Sequence, residues 1–317
     1  MPYLRLVRLP NVLTALTDVL AGYVIVRALE GPRALLRPQW GVLLALLAVS
    51  ACLYAAGAVF NDCFDYEEDR LRRPERPLPS GAISLRGAFG LGALLVLVAV
   101  YLAMAVGEVT VWVTTFLVLA IFLYNGRAKR FVVPGALAMG ACRMLSMHLG
   151  MSAGRAYLLQ LHTPGVLLPP IFLGLYAALI TLTSGLEEEA EPAAPIEARH
   201  GPAATVLGAA AAGFAVVIFS LAITTLEWWP GHLLAVLLMG ALCVRLWGAL
   251  HAHERRSRVR AFTGAAVLGV IVLDAAIILG QPAGPRHEYA GALAAWGVAA
   301  LALLAPAYLL SRRMSVS

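Results

Sequence analysis

The sequence contains few charged residues for its length. Charged side chains make up 13% of the 317 residues, whereas a soluble domain usually carries about 25%. Hydrophobic residues make up 61% of the chain, and its mean hydropathy is +0.81. Uncharged apolar runs recur throughout, and each crossing of a bilayer needs roughly 20 such residues. The composition excludes a soluble globular domain and predicts a multi-pass integral membrane protein.

Cysteine and lysine are also scarce. The four cysteines show no CxxC pairing, and three of them lie inside apolar runs, so neither a disulfide framework nor a zinc site is predicted. Lys129 is the only lysine, and the net charge of +6 comes almost entirely from arginine. In a membrane protein such an excess indicates orientation and phosphate contact, and we expect no nucleic-acid partner.

The apolar segments and the Pro/Gly turns between them predict an all-α transmembrane bundle. No soluble domain of useful size fits between the segments, so residues 1–317 are expected to form a single integral membrane domain. Arg5 and Arg8 precede the first apolar run without a small-residue cleavage site, which indicates an uncleaved first helix. We predict nine to ten transmembrane helices, and the ten-helix version places them near residues 11–29, 40–62, 85–107, 109–125, 131–152, 165–186, 203–225, 231–251, 262–281 and 288–310.

The distribution of basic residues predicts the sidedness of these helices. With ten helices and the N-terminus inside, most arginines and Lys129 fall in alternate loops, which are then the cytoplasmic ones. With nine helices, Arg312 and Arg313 would lie outside, which fits less well. The loops that follow the second and fourth helices are therefore expected at the cytoplasmic face.

An acidic cluster ends the predicted second helix. At about 100° per residue, Asp62, Asp65 and Asp69 fall on one face of a helix, and Asn61 lies beside them. Like charges at this spacing repel, and a divalent cation would remove the conflict. Mg²⁺ takes carboxylate oxygens and commonly bridges them to phosphates, so the three aspartates are predicted metal ligands. The alternative is a solvated acidic loop.

An arginine-rich segment follows at once, running from Arg70 to Gly81. Guanidinium groups suit bidentate contact with phosphate. Together with the carboxylates they predict a diphosphate site in which Arg72, Arg73 and Arg76 bind the substrate. The alternative for any one of these arginines is a role in membrane orientation alone.

The pattern NDxxDxxxDR followed by RPxRPLPSGxIS, at residues 61–84, resembles the first signature of the UbiA-type intramembrane prenyltransferases. The opening Leu6–Asn11 segment resembles that family's start, and the likeness covers roughly residues 4–152. The resemblance implies a helical bundle around a central cavity open to membrane lipid. It also implies a Mg²⁺-bound isoprenyl diphosphate donor and a hydrophobic or aromatic acceptor of the allylic chain.

The resemblance assigns roles to individual residues. Asp62, Asp65 and Asp69 would hold the metal, and Asn61 would bind the diphosphate with Arg76 nearby. The stretch from Tyr124 to Arg130 is similar to the family's Tyr…Lys-Arg element, although its spacing is one residue longer than the common YxxxK form. It implies a phosphate clamp at Lys129 and a substrate contact at Tyr124. A plain positive anchor at a helix end is the alternative.

Arg143 lies in the middle of an apolar helix. A charge at the bilayer centre costs about 2.5–3.5 kcal/mol even on insertion scales, so we expect Arg143 to face a cavity and act on the diphosphate or the acceptor. The alternative is a structural pair with Asp18 or Asp274, which also lie inside apolar runs. His148 is expected to be hydrogen-bonded within the bundle and not to bind metal.

The sequence departs from the family pattern at the end of the predicted sixth helix. That end normally carries a second aspartate-rich motif, but residues 181–191 contain no aspartate. Hydroxyl groups and four glutamates stand there, and we expect Ser184 and Glu188 to contact substrate, with a solvated acidic loop as the alternative. This departure, with the run around Arg143, resembles a divergent, EboC-like branch of the superfamily.

These observations predict Mg²⁺-dependent transfer of an isoprenyl chain to an acceptor inside the membrane. Leu53, Tyr54, Phe60 and Phe64 are expected to form the water-free wall that an allylic carbocation needs, since aromatic faces stabilise cations. The altered second motif keeps a prenyl-lipid binder or carrier without chemistry open. The intramembrane charges keep a transporter open as well, although no paired halves are visible in the sequence.

Overall fold

Helices account for all regular secondary structure in the part of the chain that the structure describes. The computed structural model describes residues 2–155, 157–185, 212–222, 226–250, 255–281 and 289–315. In chain order the first eight helices are α1 Pro2–Leu6, α2 Leu9–Leu29, α3 Pro32–Leu36, α4 Trp40–Phe64, α5 Tyr66–Arg72, α6 Leu85–Val106, α7 Glu108–Gly126 and α8 Val132–Met151. A 3₁₀ turn, Ala128–Arg130, joins α7 to α8. The rest are α9 Tyr157–Gln160, α10 Pro164–Gly185, α11 Ala212–Ala222, α12 Trp229–Leu250, α13 Arg255–Leu279, α14 Ala290–Ala302 and α15 Leu304–Ser315.

Eight of the described helical segments are long and apolar enough to cross a membrane. They are α2, α4, α6, α7, α8, α10, the apolar part of α13, and α14 with α15 taken together. Two shorter apolar segments, Ala212–Ala222 and Trp229–Arg245, are also present. The predicted all-α multi-pass bundle is confirmed, whereas the count of nine to ten spans stays a prediction.

The ends of the spans follow local sequence signals. The α6 helix begins after Ser84, whose side-chain oxygen accepts a hydrogen bond from the Gly87 N–H, the usual capping contact. Gly107, at φ 154°, separates α6 from α7, in a backbone region that side chains disfavour. The predicted tenth helix is interrupted at Leu303, which ends α14 before α15 begins.

Close packing of α2 against α8 builds the centre of the bundle. Gly22 lies against the backbone of Met147, and Gly150 lies against the backbone of Val19 and Tyr23. Small residues allow such backbone approach between membrane helices, where association depends on packing. The α4 and α7 helices also pack on α8. These four helices surround the cavity described below.

Candidate active site

The acidic cluster lies at a break between two helices. The α4 helix ends at Phe64, and Asp65 adopts φ −92° and ψ 2° before α5 begins at Tyr66. The three aspartates are therefore divided between two helices and their junction, and the expectation of one continuous helix is wrong. Asp62 belongs to α4 and Asp69 to α5, and both are buried, whereas Asp65 at the junction is partly exposed.

Arg76 brings the two buried aspartates together. Its Nη1 atom donates a hydrogen bond to Asp69 Oδ2 and lies 3.9 Å from Asp62 Oδ1. The predicted role of Arg76 close to the aspartates thus has a geometric basis. Because the same guanidinium nitrogen faces both carboxylates, Arg76 links α4 to α5.

Arg8 is a third cation at the acidic cluster, although the sequence predicted no site role for it. Its Nη2 atom donates a hydrogen bond of 2.8 Å to Asp62 Oδ1. Burial lowers the pKa of Arg8, but the charge of Asp62, the Tyr54 side chain, the hydrogen bond to Asp62 and the Tyr124 side chain together raise it by more, so the pKa lies above its ordinary value. The signal that could have found it is its place in the Leu6–Asn11 opening segment.

Lys129 closes the site from the 3₁₀ turn between α7 and α8. Its ammonium nitrogen lies 2.6 Å from Asp65 Oδ1 and donates to the side-chain oxygen of Asn61 at 3.3 Å. The structure thus brings the Tyr…Lys-Arg element to the acidic cluster, as the resemblance implies. We call the set of Arg8, Asn61, Asp62, Asp65, Asp69, Arg76 and Lys129 the polar mouth.

The charges of the polar mouth balance. Asp62 pairs with Arg8, Asp65 with Lys129 and Asp69 with Arg76. Each of these ion pairs engages one carboxylate oxygen. The donor chemistry fits Mg²⁺, which prefers carboxylate oxygens. Within the described ranges, however, no three acidic, histidine or cysteine side chains converge enough to hold a metal ion.

The predicted substrate-binding residues Arg72, Arg73 and Ser184 differ in their surroundings. Arg72 pairs with Glu68 one helical turn away at 2.8 Å, and both side chains are largely exposed. Arg73 is exposed as well. The Ser184 hydroxyl donates to the carbonyl oxygen of Thr181 in its own helix. Glu188 lies outside the described residues, so its role stays a prediction.

A cavity leads from the polar mouth into the bundle. Its empty volume is about 730 Å³, part of it open to the exterior. Ser50 and Asn61 both line it and lie about 16 Å apart along α4 at about 1.5 Å per residue. The wall includes Arg8, Ala15, Leu53, Tyr54, Gly57, Ala58, Leu117, Ile121, Tyr124, Asn125, Met139, Cys142, Arg143 and Ser146.

The predicted apolar wall is half correct. Leu53, Tyr54 and the expected substrate contact Tyr124 line the cavity. Phe60 instead packs against Phe89 and Phe122, with ring centroids 5.4 Å and 4.9 Å away. Phe64 is exposed on the surface of α4. The Phe60 ring instead fills the space beside Gly92 of α6, where a Cβ atom would lie 2.9 Å from it.

Arg143 fulfils both roles that the sequence left open. It lines the cavity, and it forms a structural ion pair with Asp18. Its Nη2 atom lies 2.9 Å from Asp18 Oδ1, and its guanidinium donates to the carbonyl and hydroxyl oxygens of Thr14. Thr14 and Asp18 belong to α2, below the polar mouth. This position associates Arg143 with the inner part of the cavity and not with the polar mouth.

His148 is hydrogen-bonded within the protein, as expected. Its Nδ1 atom lies 2.7 Å from the hydroxyl oxygen of Tyr157. The contact ties the C-terminal part of α8 to the short helix α9. Nothing in this geometry assigns His148 to the polar mouth.

The chain matches the model of the UbiA prenyltransferase family over residues 33–263. Among curated relatives, the digeranylgeranylglyceryl phosphate synthase of Metallosphaera sedula is 34% identical over 154 residues, 47% of this chain and 50% of the relative. The Sulfurisphaera tokodaii protein of the same name is 28% identical over 191 residues, 59% of this chain and 63% of the relative. The chain thus spans about half to two thirds of these relatives.

Solved structures show the same fold. A UbiA homologue from Archaeoglobus fulgidus bound to GPP and Mg²⁺ has a TM-score of 0.52 at 15% identity, covering 98% of this chain and 99% of its own. A digeranylgeranylglyceryl phosphate synthase structure has a TM-score of 0.59 at 20% identity, covering 88% and 97%. At these identities the likeness concerns the fold alone.

Proposed function

The chain belongs to the UbiA prenyltransferase family, and on this basis we propose that it transfers an isoprenyl chain from a diphosphate donor to an acceptor within the membrane. The family match confirms the resemblance drawn from the sequence motifs. The assignment to an EboC-like branch stays a prediction.

The polar mouth is the observation that carries this proposal. Three cations suited to phosphate and three carboxylates suited to Mg²⁺ alternate at the entrance of a cavity lined largely by apolar and aromatic groups. A polar headgroup at the mouth and a hydrophobic chain in the cavity or the adjoining lipid match the two parts of an isoprenyl diphosphate.

Each residue of the mouth has a defined task in the proposed reaction. Asp62, Asp65 and Asp69 would hold Mg²⁺, which supplies charge neutralisation of the diphosphate when it is bound. Arg8, Arg76 and Lys129 would exchange their carboxylate partners for phosphate oxygens, where preorganised cations stabilise the leaving group. Asn61 would orient the nearest phosphate.

The cavity would govern the second half of the transfer. The C1–O bond of the donor breaks, and the electron pair leaves with the diphosphate. The Tyr54 and Tyr124 rings offer faces that stabilise positive charge on the allylic chain, and the apolar wall excludes water. The acceptor then forms a bond to C1, and its proton passes to the released diphosphate.

We propose a hydroxyl-bearing glyceryl phosphate lipid as the first candidate acceptor. The support is the name of the relatives, digeranylgeranylglyceryl phosphate synthases. An aromatic acceptor is the second candidate, because Tyr54 and Tyr124 could stack on an aromatic ring in the cavity. The partners of the protein are then the isoprenyl diphosphate donor, the acceptor and membrane lipid.

Product mass tests the proposal. Purified protein is incubated with geranylgeranyl diphosphate, Mg²⁺ and a pool of geranylgeranylglyceryl phosphate and aromatic acids, and the lipid extract is examined by mass spectrometry. A prenylated acceptor with released diphosphate supports transfer and identifies the acceptor. Tight donor binding without diphosphate release would instead support the carrier. Donor movement across vesicle membranes without any product would support the transporter.

A further inference from the structure

The two aspartates outside the polar mouth lie fully buried in the centre of the bundle. Asp18 on α2 and Asp274 on α13 are both 0% exposed, and Arg143 on α8 is 7% exposed. Arg143 pairs with Asp18 at 2.9 Å, and both carboxyl groups face each other and the same guanidinium. We call Asp18, Arg143 and Asp274 the deep cluster.

The deep cluster contains one more acid than base. With both carboxyl groups ionised it would carry a net negative charge in the middle of the membrane, where an unpaired charge is expensive. Two carboxylates that face each other avoid this cost when one of them keeps its proton. The charge balance of the deep cluster therefore favours one bound proton.

Thr17 satisfies only one oxygen of Asp274. Its hydroxyl donates to Asp274 Oδ2 at 2.6 Å, and the same hydroxyl oxygen lies 2.8 Å from the Thr14 carbonyl oxygen. A hydroxyl has one proton to donate, so Thr17 cannot also satisfy the other Asp274 oxygen.

Buried carboxyl oxygens without a donor support the same assignment. Asp18 Oδ1 and Oδ2 and Asp274 Oδ1 have no hydrogen-bond partner of acceptable geometry among the described residues. Ionised carboxylates only accept hydrogen bonds, and buried acceptors are normally satisfied. A pair that holds one proton needs fewer donors than two carboxylates, because its O–H can donate to the facing carboxyl.

We propose that Asp18 and Asp274 together hold one proton at neutral pH, which makes the deep cluster a proton-binding site of zero net charge beside the cavity. The remaining negative charge of the pair then balances Arg143. Tyr54, Tyr176, Thr17 and Ser146 are the further polar groups that face the two carboxyls.

The consequence for the cavity is a polar but uncharged inner end. The positive charge of Arg143 is already balanced by Asp18, and Arg143 still lines the cavity. If the chain transfers prenyl groups as proposed, this end suits a neutral hydrogen-bonding group such as a hydroxyl better than a second anion. Asp18 acts there as a positioning residue for Arg143.

Infrared spectroscopy and thermal unfolding of the full-length protein in detergent test the proposal. Wild type is compared with Asp274→Asn, which imitates a neutral carboxylic acid, and with the Asp18→Asn/Asp274→Asn double variant. We expect a protonated-carboxyl C=O band at pH 7 in wild type that is absent from Asp274→Asn. The midpoint of unfolding should stay within a few degrees in Asp274→Asn and fall on the order of 10 °C in the double variant, because Arg143 loses its anion.

Three results would overturn the proposal. The first is a wild-type spectrum without a protonated-carboxyl band, together with a more stable Asp274→Asn protein, since both carboxylates would then be ionised. The second is a double variant as stable as wild type. The third is a wild-type midpoint that rises with Na⁺ while that of Asp274→Asn does not, which would place a cation at the site. No substrate is used, so failure here leaves the proposed transfer untouched.

Discussion

The ammonium nitrogen of Lys129 lies 2.6 Å from the carboxylate oxygen Oδ1 of Asp65. This contact joins the turn between α7 and α8 to the break between α4 and α5. Arg8 and Arg76 reach the same region from two other segments of the chain. The polar mouth therefore depends on the tertiary fold, and each of its cations can be tested separately.

Replacing Lys129 by Ala should raise the KM for the isoprenyl diphosphate by about 10- to 100-fold, because a charge-assisted hydrogen bond to a phosphate is lost. Arg130→Ala is the matched control, since Arg130 is the exposed neighbour in the same 3₁₀ turn. Steady-state kinetics at varied donor concentration measure the effect. Equal KM values in the two variants would show that Lys129 is only a membrane anchor.

Replacing Arg76 by Ala should lower kcat/KM by a similar factor, because Arg76 faces both Asp62 and Asp69. Arg72→Ala is the control, since 69% of the Arg72 side chain is exposed against 26% for Arg76. The sequence predicted a substrate contact for both arginines, and the structure separates them. An equal loss of kcat/KM in the Arg72 and Arg76 variants would show that Arg72 also binds the substrate.

Mg²⁺ and the diphosphate should bind cooperatively. The three carboxylates are already neutralised by three cations, so Mg²⁺ alone must displace them, whereas a diphosphate draws the cations away. By linkage each ligand should then raise the affinity for the other by the same factor. Calorimetric titration of Mg²⁺ with and without geranylgeranyl thiodiphosphate measures this factor. Equal Mg²⁺ affinities in the two titrations would contradict the ion-pair exchange.

Replacing Gly150 by Ala should destabilise the bundle, because a Cβ there would overlap the carbonyl oxygen of Val19 across the α2–α8 contact. Overpacking of this kind costs about 1–3 kcal/mol or more. Gly90→Ala on α6 is the control, with nothing near its Cβ position. Thermal unfolding in detergent should show a lower midpoint only for the Gly150 variant. Indistinguishable midpoints would show that α2 and α8 can move apart.

Much of the fold could be predicted from the sequence because apolar runs end at strong local signals. The predicted helices 40–62, 85–107 and 131–152 correspond to Trp40–Phe64, Leu85–Val106 and Val132–Met151. Local propensity could not show the break at Asp65, since residues 61–72 read as one continuous helix. The interruption at Leu303 does have a local signal, because Pro306 has no N–H to donate to the Ala302 carbonyl one turn earlier.

The residues of the site could be predicted from the sequence, but which of their side chains contact one another could not. The spacing of the aspartates identified the acidic cluster, and the resemblance placed Lys129 near it. The contact of Arg8 with Asp62 depends on how α1 and α2 pack on α4, which no sequence pattern shows. Arg143 could be identified as either cavity-lining or paired, and only the tertiary structure shows that it is both.

The measurement that most directly tests the central claim is diphosphate release by Asp65→Ala and by its matched control Glu68→Ala. Both variants remove an acid from the same short segment, but Glu68 is exposed and pairs with Arg72 at the surface. With geranylgeranyl diphosphate and the acceptor pool, wild type and Glu68→Ala should release diphosphate in Mg²⁺ and not in EDTA. Asp65→Ala should be at least about 100-fold slower while unfolding at the wild-type temperature. Release by Asp65→Ala at the wild-type rate would contradict the assignment of the polar mouth as the active site.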